Sequence, residues 1–347
     1  MIYTNLLVFI AVIFLFSIAP AGESASHSLF VSLGLYGLSL VGFQLLVKRV
    51  FTSSQSGGTV GYFGAERRLS ITALLLFALT LFVSDIKYHL SFLSVGGLLP
   101  ALTNVGGLLL FFSYLALIWR GGHHNYASVF GGQQSPSSLV AGNLRFNLAL
   151  VLPWIALSLM YDMLALIPSS RITLFFDSLW GDLFFLGLFL ILVLLFFPPL
   201  VRRLWNCAEL EDGPLKEHLV AFCRRQNFDA TLCVWPLYEG RLITAAVLGM
   251  MPGLRYILLT PALMQNLNMG ELEAVMTHEI GHIKYRHLLL YVLLIGGFSL
   301  VAGLLAEPVL YLSLSMDWIF QLIAKELVSA ETVIMLVGGL PLLLLLL

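Results

Sequence analysis

Runs of about twenty apolar residues recur along this chain, and they limit what it can fold into more than any other feature. LFVSLGLYGLSLVGFQLLV, ending at Val47, is one, and LFFLGLFLILVLLFFPPL, ending at Leu200, is another. A helix rising 1.5 Å per residue crosses about 30 Å of hydrocarbon in one such run. Eight runs read as spans, near 2–19, 28–47, 70–86, 97–119, 147–167, 182–200, 288–306 and 329–347. Composition agrees. The 347 residues are 59% hydrophobic and 11% charged, whereas soluble domains are about a quarter charged. The expected fold class is a multi-pass α-helical membrane protein of about eight spans with one small α/β domain. AGESAS follows the first run, as it would a signal peptide, but the basic n-region is missing. Either reading leaves the topology unchanged.

The basic residues orient the spans. Lys48, Arg49, Arg67 and Arg68 lie in the 48–69 loop, and Arg120 and Arg145 in the 120–146 loop. Segment 201–287 holds Arg202, Arg203, Lys216, Arg224, Arg225, Arg241, Arg255, Lys284 and Arg286, which brings the three regions to 15 of the 18 Lys and Arg. Lys87, Arg171 and Lys325 fall in the opposite loops. The positive-inside rule then places the N-terminus and residues 201–287 in the cytoplasm. Three parts follow: a six-span domain over 1–200, a cytoplasmic domain over 201–287, and a two-span hairpin over 288–347.

Several features read as structural. No basic stripe with interleaved aromatics is present, which argues against a nucleic-acid partner. Cys207, Cys223 and Cys233 lack CxxC spacing and read as reduced, half-buried thiols. TVGYFGAERR and NYASVFGGQQ read as Gly-rich loops, not as a repeat. His123 and His124 read as exposed loop histidines, with no third ligand near in sequence. Asp162 sits near the outer end of a span, where a structural role outweighs a functional one.

Segment 201–287 has the pattern of a small α/β unit. Asp212-Gly213-Pro214 opens a helix whose apolar face is Leu215, Leu219 and Phe222. ATLCVWPL, GRLITAAVLGM and RYILLT read as strands, and PALMQNL as a short helix. NMGELEAVMTHEIGHIKYRH follows. Asn268 and Glu271 form a capping-box start, and Leu272, Val275, Met276, Ile280 and Ile283 a buried stripe. His278 and His282, at i and i+4, project from one face and suit a shared zinc. Glu279, about 100° round the helix, can hold a water and remove its proton. Gly281 costs about 1 kcal/mol of helix propensity, which predicts close packing against it. His287 reads as an interfacial residue off the ligand face, with Lys284 and Arg286 at headgroup level. A continuous helix would set the metal a turn or two above the inner membrane face.

ITAAVLG, RYILLTPALMQNL and GELEAVMTHEIGH, in that order, resemble the core of the membrane zinc metallopeptidases typified by HtpX and the CAAX prenyl proteases. The resemblance covers about 210–287; the six-span block resembles no member. It implies a zincin-like domain and one zinc ion per chain, held by His278 and His282 with Glu279 as general base. It also implies an edge strand that pairs with extended substrate at Thr244, Ala245 and Ala246, although Thr244-Ala245 replaces an Asn-Ala pair seen in many members. The implied activity is endopeptidase cleavage of membrane-associated or membrane-proximal proteins at the lipid bilayer, in a bacterial inner membrane. The alternatives are an inactive relative serving as transporter, receptor or scaffold, the last with a structural zinc.

A catalytic zinc takes three protein ligands and a water. The resemblance implies that the third is a glutamate on a later helix. Glu307, Asp317, Glu326 and Glu331 all fall beyond the 288–306 run, on the outer side. The expectation is therefore that the third ligand lies beyond Leu347 and that the 347 residues are part of a longer enzyme.

Overall fold

The computed structural model describes residues 2–19, 24–54, 57–132, 134–167, 174–175, 178–325 and 333. Packing divides the chain into two units, Met1–Glu279 and Ile280–Leu347.

The first unit begins with helices α1 (Ile2–Ile18), α2 (Leu29–Ser53), α3 (Gly58–Val83), α4 (Ile86–Leu90), α5 (Pro100–Gly121), α6 (His123–Phe130), α7 (Pro136–Ala165) and α8 (Leu179–Leu204). Local chemistry sets several starts. Ser28, Ser135 and Ser178 accept from the backbone N–H three residues on, at 3.4, 3.2 and 3.3 Å, as N-caps do. The helices bury narrow stripes: Phe43, Val47 and Phe51 on α2, and Tyr62, Ala65, Leu69, Ala73 and Phe77 on α3. Their other faces are apolar and exposed, as at Leu38 and Leu75, which suits a lipid surround. Close approach needs glycines on α5, where a Cβ on Gly107 would lie 2.5 Å from the Phe16 ring and one on Gly121 would lie still closer to Val47.

Among the described residues, four helices are long and apolar enough to cross a membrane: Leu29–Ser53, Pro100–Gly121, Pro136–Ala165 and Leu183–Leu204. Gly58–Val83 with Ile86–Ser94, bent by 86°, would make a fifth. Six were expected over 1–200. Helix α1 covers 17 residues, Ile2–Ile18, and its described side chains form an apolar stretch over Leu6–Ser17. The expected last run, 329–347, lies almost wholly outside the described residues.

The two Gly-rich loops require correction. TVGYFGAERR lies inside α3, and NYASVF lies in α6, which stops at Gly131 with φ 62°. Their aromatic rings meet: Tyr62 is 5.9 Å from Tyr126 and 5.7 Å from Phe130, and Phe63 is 5.9 Å from Phe130. That packing outweighs the weak helix propensity of the glycines.

The polar stretch supplies the sheet. Strands β1 (Ala208–Glu209), β2 (Thr231–Val234), β3 (Ala245–Leu248) and β4 (Tyr256–Leu259) pair in the order β1-β2-β4-β3. β2 and β4 run parallel, and the outer two strands antiparallel to their neighbours. The strands are shorter than the apolar runs predicted. WPL and GRLI leave the sheet, and Tyr238 and Glu239 both take positive φ, at 48° and 57°. Helix α9 (Pro214–Arg225) buries Leu219, Phe222 and Cys223, and α10 (Pro261–Asn266) follows β4.

The sheet is anchored to the helices of its own unit. Trp205, just past α8, stacks between Phe146 of α7 and Trp235 beyond β2, at centroid distances of 4.6 and 5.1 Å. Its indole Nε1 donates to the Phe146 carbonyl at 3.2 Å.

Helix α11 (Met269–Lys284) carries the histidine motif. In the second unit, α12 runs over His287–Leu314 and α13 over Asp317–Ala324. The 288–306 run lies inside α12, which at 28 residues is about 42 Å long.

Candidate metal centre

The start of α11 is fixed by its own sequence. The Asn268 N–H donates to Glu271 Oε2 at 2.9 Å, and the Glu271 N–H donates to Asn268 Oδ1 at 3.0 Å. This reciprocal box satisfies two donors that a helix start leaves unpaired. Leu272, Met276 and Ile280 are then buried along one side. Val275 and Ile283, expected in the same stripe, are half-buried.

On another side, His278, Glu279 and His282 come together. One ring nitrogen from each histidine and one carboxylate oxygen lie within 4.8 Å of one another. His278 is exposed, and Glu279 and His282 are half-buried. Among the described residues this is the group of three or more His, Cys, Asp or Glu side chains able to hold one ion. Two imidazoles and a carboxylate at that spacing suit zinc, a borderline-soft ion that takes nitrogen and oxygen ligands. A Cβ on Gly281 would meet first the Tyr285 ring, at 3.8 Å. That is ordinary contact with a residue one turn on, and among the described residues nothing packs more closely at Gly281, against the expectation.

The helix end also differs from expectation. Tyr285 N–H still bonds the Gly281 carbonyl at 2.9 Å, but Arg286 N–H turns back to Ile283 at 3.1 Å. Arg286 has φ 54° and ψ 37°. A left-handed residue ends the right-handed path, so α12 does not extend α11 in a straight line. The rise from His282 therefore does not fix the metal's height above the membrane. The same break brings His287 to His282, with Nδ1 to Nδ1 at 2.7 Å. The expectation that His287 lies off the ligand face is therefore corrected. Spacing gave no signal, because in a continuous helix five residues turn the side chain about 140° away.

The expected substrate residues lie on the sheet edge. Ala245 pairs with Leu259 and Ala246 with Leu258, and β3 has its second edge free of strands in this sheet. Thr244 is pinned just before β3: its N–H donates to Thr260 Oγ1 at 3.2 Å, and that hydroxyl donates to its carbonyl at 3.0 Å. Helix α11 is tied to α9 through Glu273, whose Oε1 accepts from Arg225 Nη2 at 2.8 Å and lies 2.8 Å from His218 Nε2. The sequence gave no sign of that link.

Other residues keep structural places. Asp162 is buried and accepts from the Ala101 N–H in the first turn of α5 at 2.6 Å. His123 Nε2 lies 2.6 Å from the Gln134 carbonyl. The three cysteines are free and buried. Burial pushes the Cys207 and Cys223 thiols up to about 12 and about 11, and raises Cys233 as well. Glu307 lies on α12, about 30 Å along the helix from His287. Glu326 and Glu331 lie outside the described residues.

A histidine pair and glutamate on a capped helix, following a mixed sheet with a free edge strand, have the pattern of a metallopeptidase. Residues 215–344 match the model of peptidase family M48, the family of HtpX and the CAAX prenyl proteases. The match begins in α9, takes in β2 to β4 and the histidine helix, and leaves residues 1–214 unmatched. No curated protein and no solved structure gives a match.

Proposed function

We propose that this protein is an integral membrane zinc endopeptidase that cleaves membrane-associated or membrane-proximal proteins. The observation that carries the reading is the convergence of His278, Glu279 and His282 within 4.8 Å on one helix, inside the segment that matches a peptidase family. His278 and His282 hold the metal. Bound zinc supplies a Lewis acid and lowers the pKa of water toward neutrality. Glu279 takes the proton from the attacking water and then gives it to the leaving amine nitrogen. The free edge of β3 at Thr244, Ala245 and Ala246 holds extended substrate by strand addition. A glutamate on a helix later than α11 is the third ligand, as the family resemblance implies. Intact donors in a peptidase segment favour this reading over an inactive transporter, receptor or scaffold. The test is hydrolysis of casein and of a detergent-solubilised membrane protein. Activity should vanish on chelation and return with stoichiometric zinc. Activity indifferent to chelation would remove the reading.

The sheet and histidine helix are proposed to face the cytoplasm of a bacterial cell, as the distribution of basic residues favours. Glu211 is exposed, and the natural thiols are buried and hold their protons. A Glu211→Cys variant therefore reads its own site alone. It should resist an impermeant maleimide in intact cells and label after permeabilisation. Ready labelling of intact cells would reverse the orientation.

A further inference from the structure

We infer that His287 is a positioning residue for the metal ligand His282, an inference that rests on the metallopeptidase reading above. The two Nδ1 atoms lie 2.7 Å apart, with the rings 4.8 Å apart and inclined at 75°. One proton occupies that contact. A neutral imidazole carries a single N–H, so a His282 that binds metal does so through one nitrogen and donates from the other. With Nδ1 engaged by His287, the nitrogen left for the metal is Nε2. The His282 Nδ1–H donates to His287 Nδ1, and His287 keeps its own proton on Nε2. This is the arrangement by which a metal-bound histidine is oriented and its ligating nitrogen made more basic.

The backbone supports the pairing. Arg286 stands in the left-handed region, at φ 54°, where a residue with a side chain is strained by about 1–2 kcal/mol. Such a residue persists where its surroundings over-determine it. The strain has a visible consequence: it swings His287 out of the helical path and back onto His282. Tyr285 flanks the pair, its ring nearly parallel to His287 at 6.2 Å. The break after α11 is therefore part of the metal site, and α12 begins with the residue that orients it.

The experiment compares zinc dissociation constants, by competition with a chromophoric chelator, for the protein in detergent and two variants. His287→Phe keeps a ring beside Tyr285 but removes the acceptor. His287→Asn places an amide oxygen near the former Nδ1 and keeps the acceptor. His287→Phe should weaken zinc by about 10–100-fold, with a shifted visible spectrum of the cobalt-substituted protein. His287→Asn should restore most of the affinity and the wild-type spectrum. Equal affinity in wild type and His287→Phe would overturn the inference, as would a loss in His287→Asn as large as in His287→Phe. Failure of the reading beneath it looks different: the wild type would then bind no zinc that His278→Ala or His282→Ala removes.

Discussion

Glu279→Ala is expected to slow peptide hydrolysis by about 10²–10⁴-fold while zinc binding stays as in the wild type. The two effects separate because the chemistry is divided between neighbours on one helix. In the proposed mechanism the imidazoles of His278 and His282 supply the ligand atoms. The Glu279 carboxylate is rotated from them and is the proposed acceptor of a proton from the attacking water. All three offer atoms within 4.8 Å of one another, so the base is beside the metal position without being needed to fill it. The measurement is kcat at saturating zinc, together with zinc stoichiometry. Hydrolysis by the variant well above a no-enzyme control would remove Glu279 as the base. Loss of zinc along with activity would recast it as a ligand.

Trp205→Ala should destabilise the sheet by about 3–5 kcal/mol. The indole is 7% exposed and lies flat between Phe146 and Trp235, with interplanar angles of 13° and 7°. Truncation opens a cavity between two aromatic faces and leaves the Phe146 carbonyl without its indole donor. Trp205→Phe keeps most of the stacking and should lose clearly less. Denaturant unfolding in detergent, followed by limited proteolysis of 206–260, reads both variants. An unchanged midpoint for Trp205→Ala would show that the sheet stands without its anchor on α7 and α8. The consequence reaches the site, because β4 leads directly into α10 and the histidine helix.

What the sequence by itself determined is local. Apolar runs longer than a hydrocarbon layer fix helices, since no other backbone arrangement satisfies its own hydrogen bonds in lipid without closing a barrel. Asn268 and Glu271 fix where α11 starts, because their partners are three residues away. The i, i+4 spacing puts His278 and His282 together wherever that helix lies. The tertiary structure alone decided the rest. TVGYFGAERR and NYASVF became helices because Tyr62, Phe63, Tyr126 and Phe130 meet across more than sixty positions, a gain invisible to local propensity. Trp205 found its place between residues 146 and 235 for the same reason. His287 turned to His282 only because Arg286 adopts a conformation that arginine disfavours. Spacing rules assume a continuous helix, and whether a helix continues is settled by packing beyond the residues that form it.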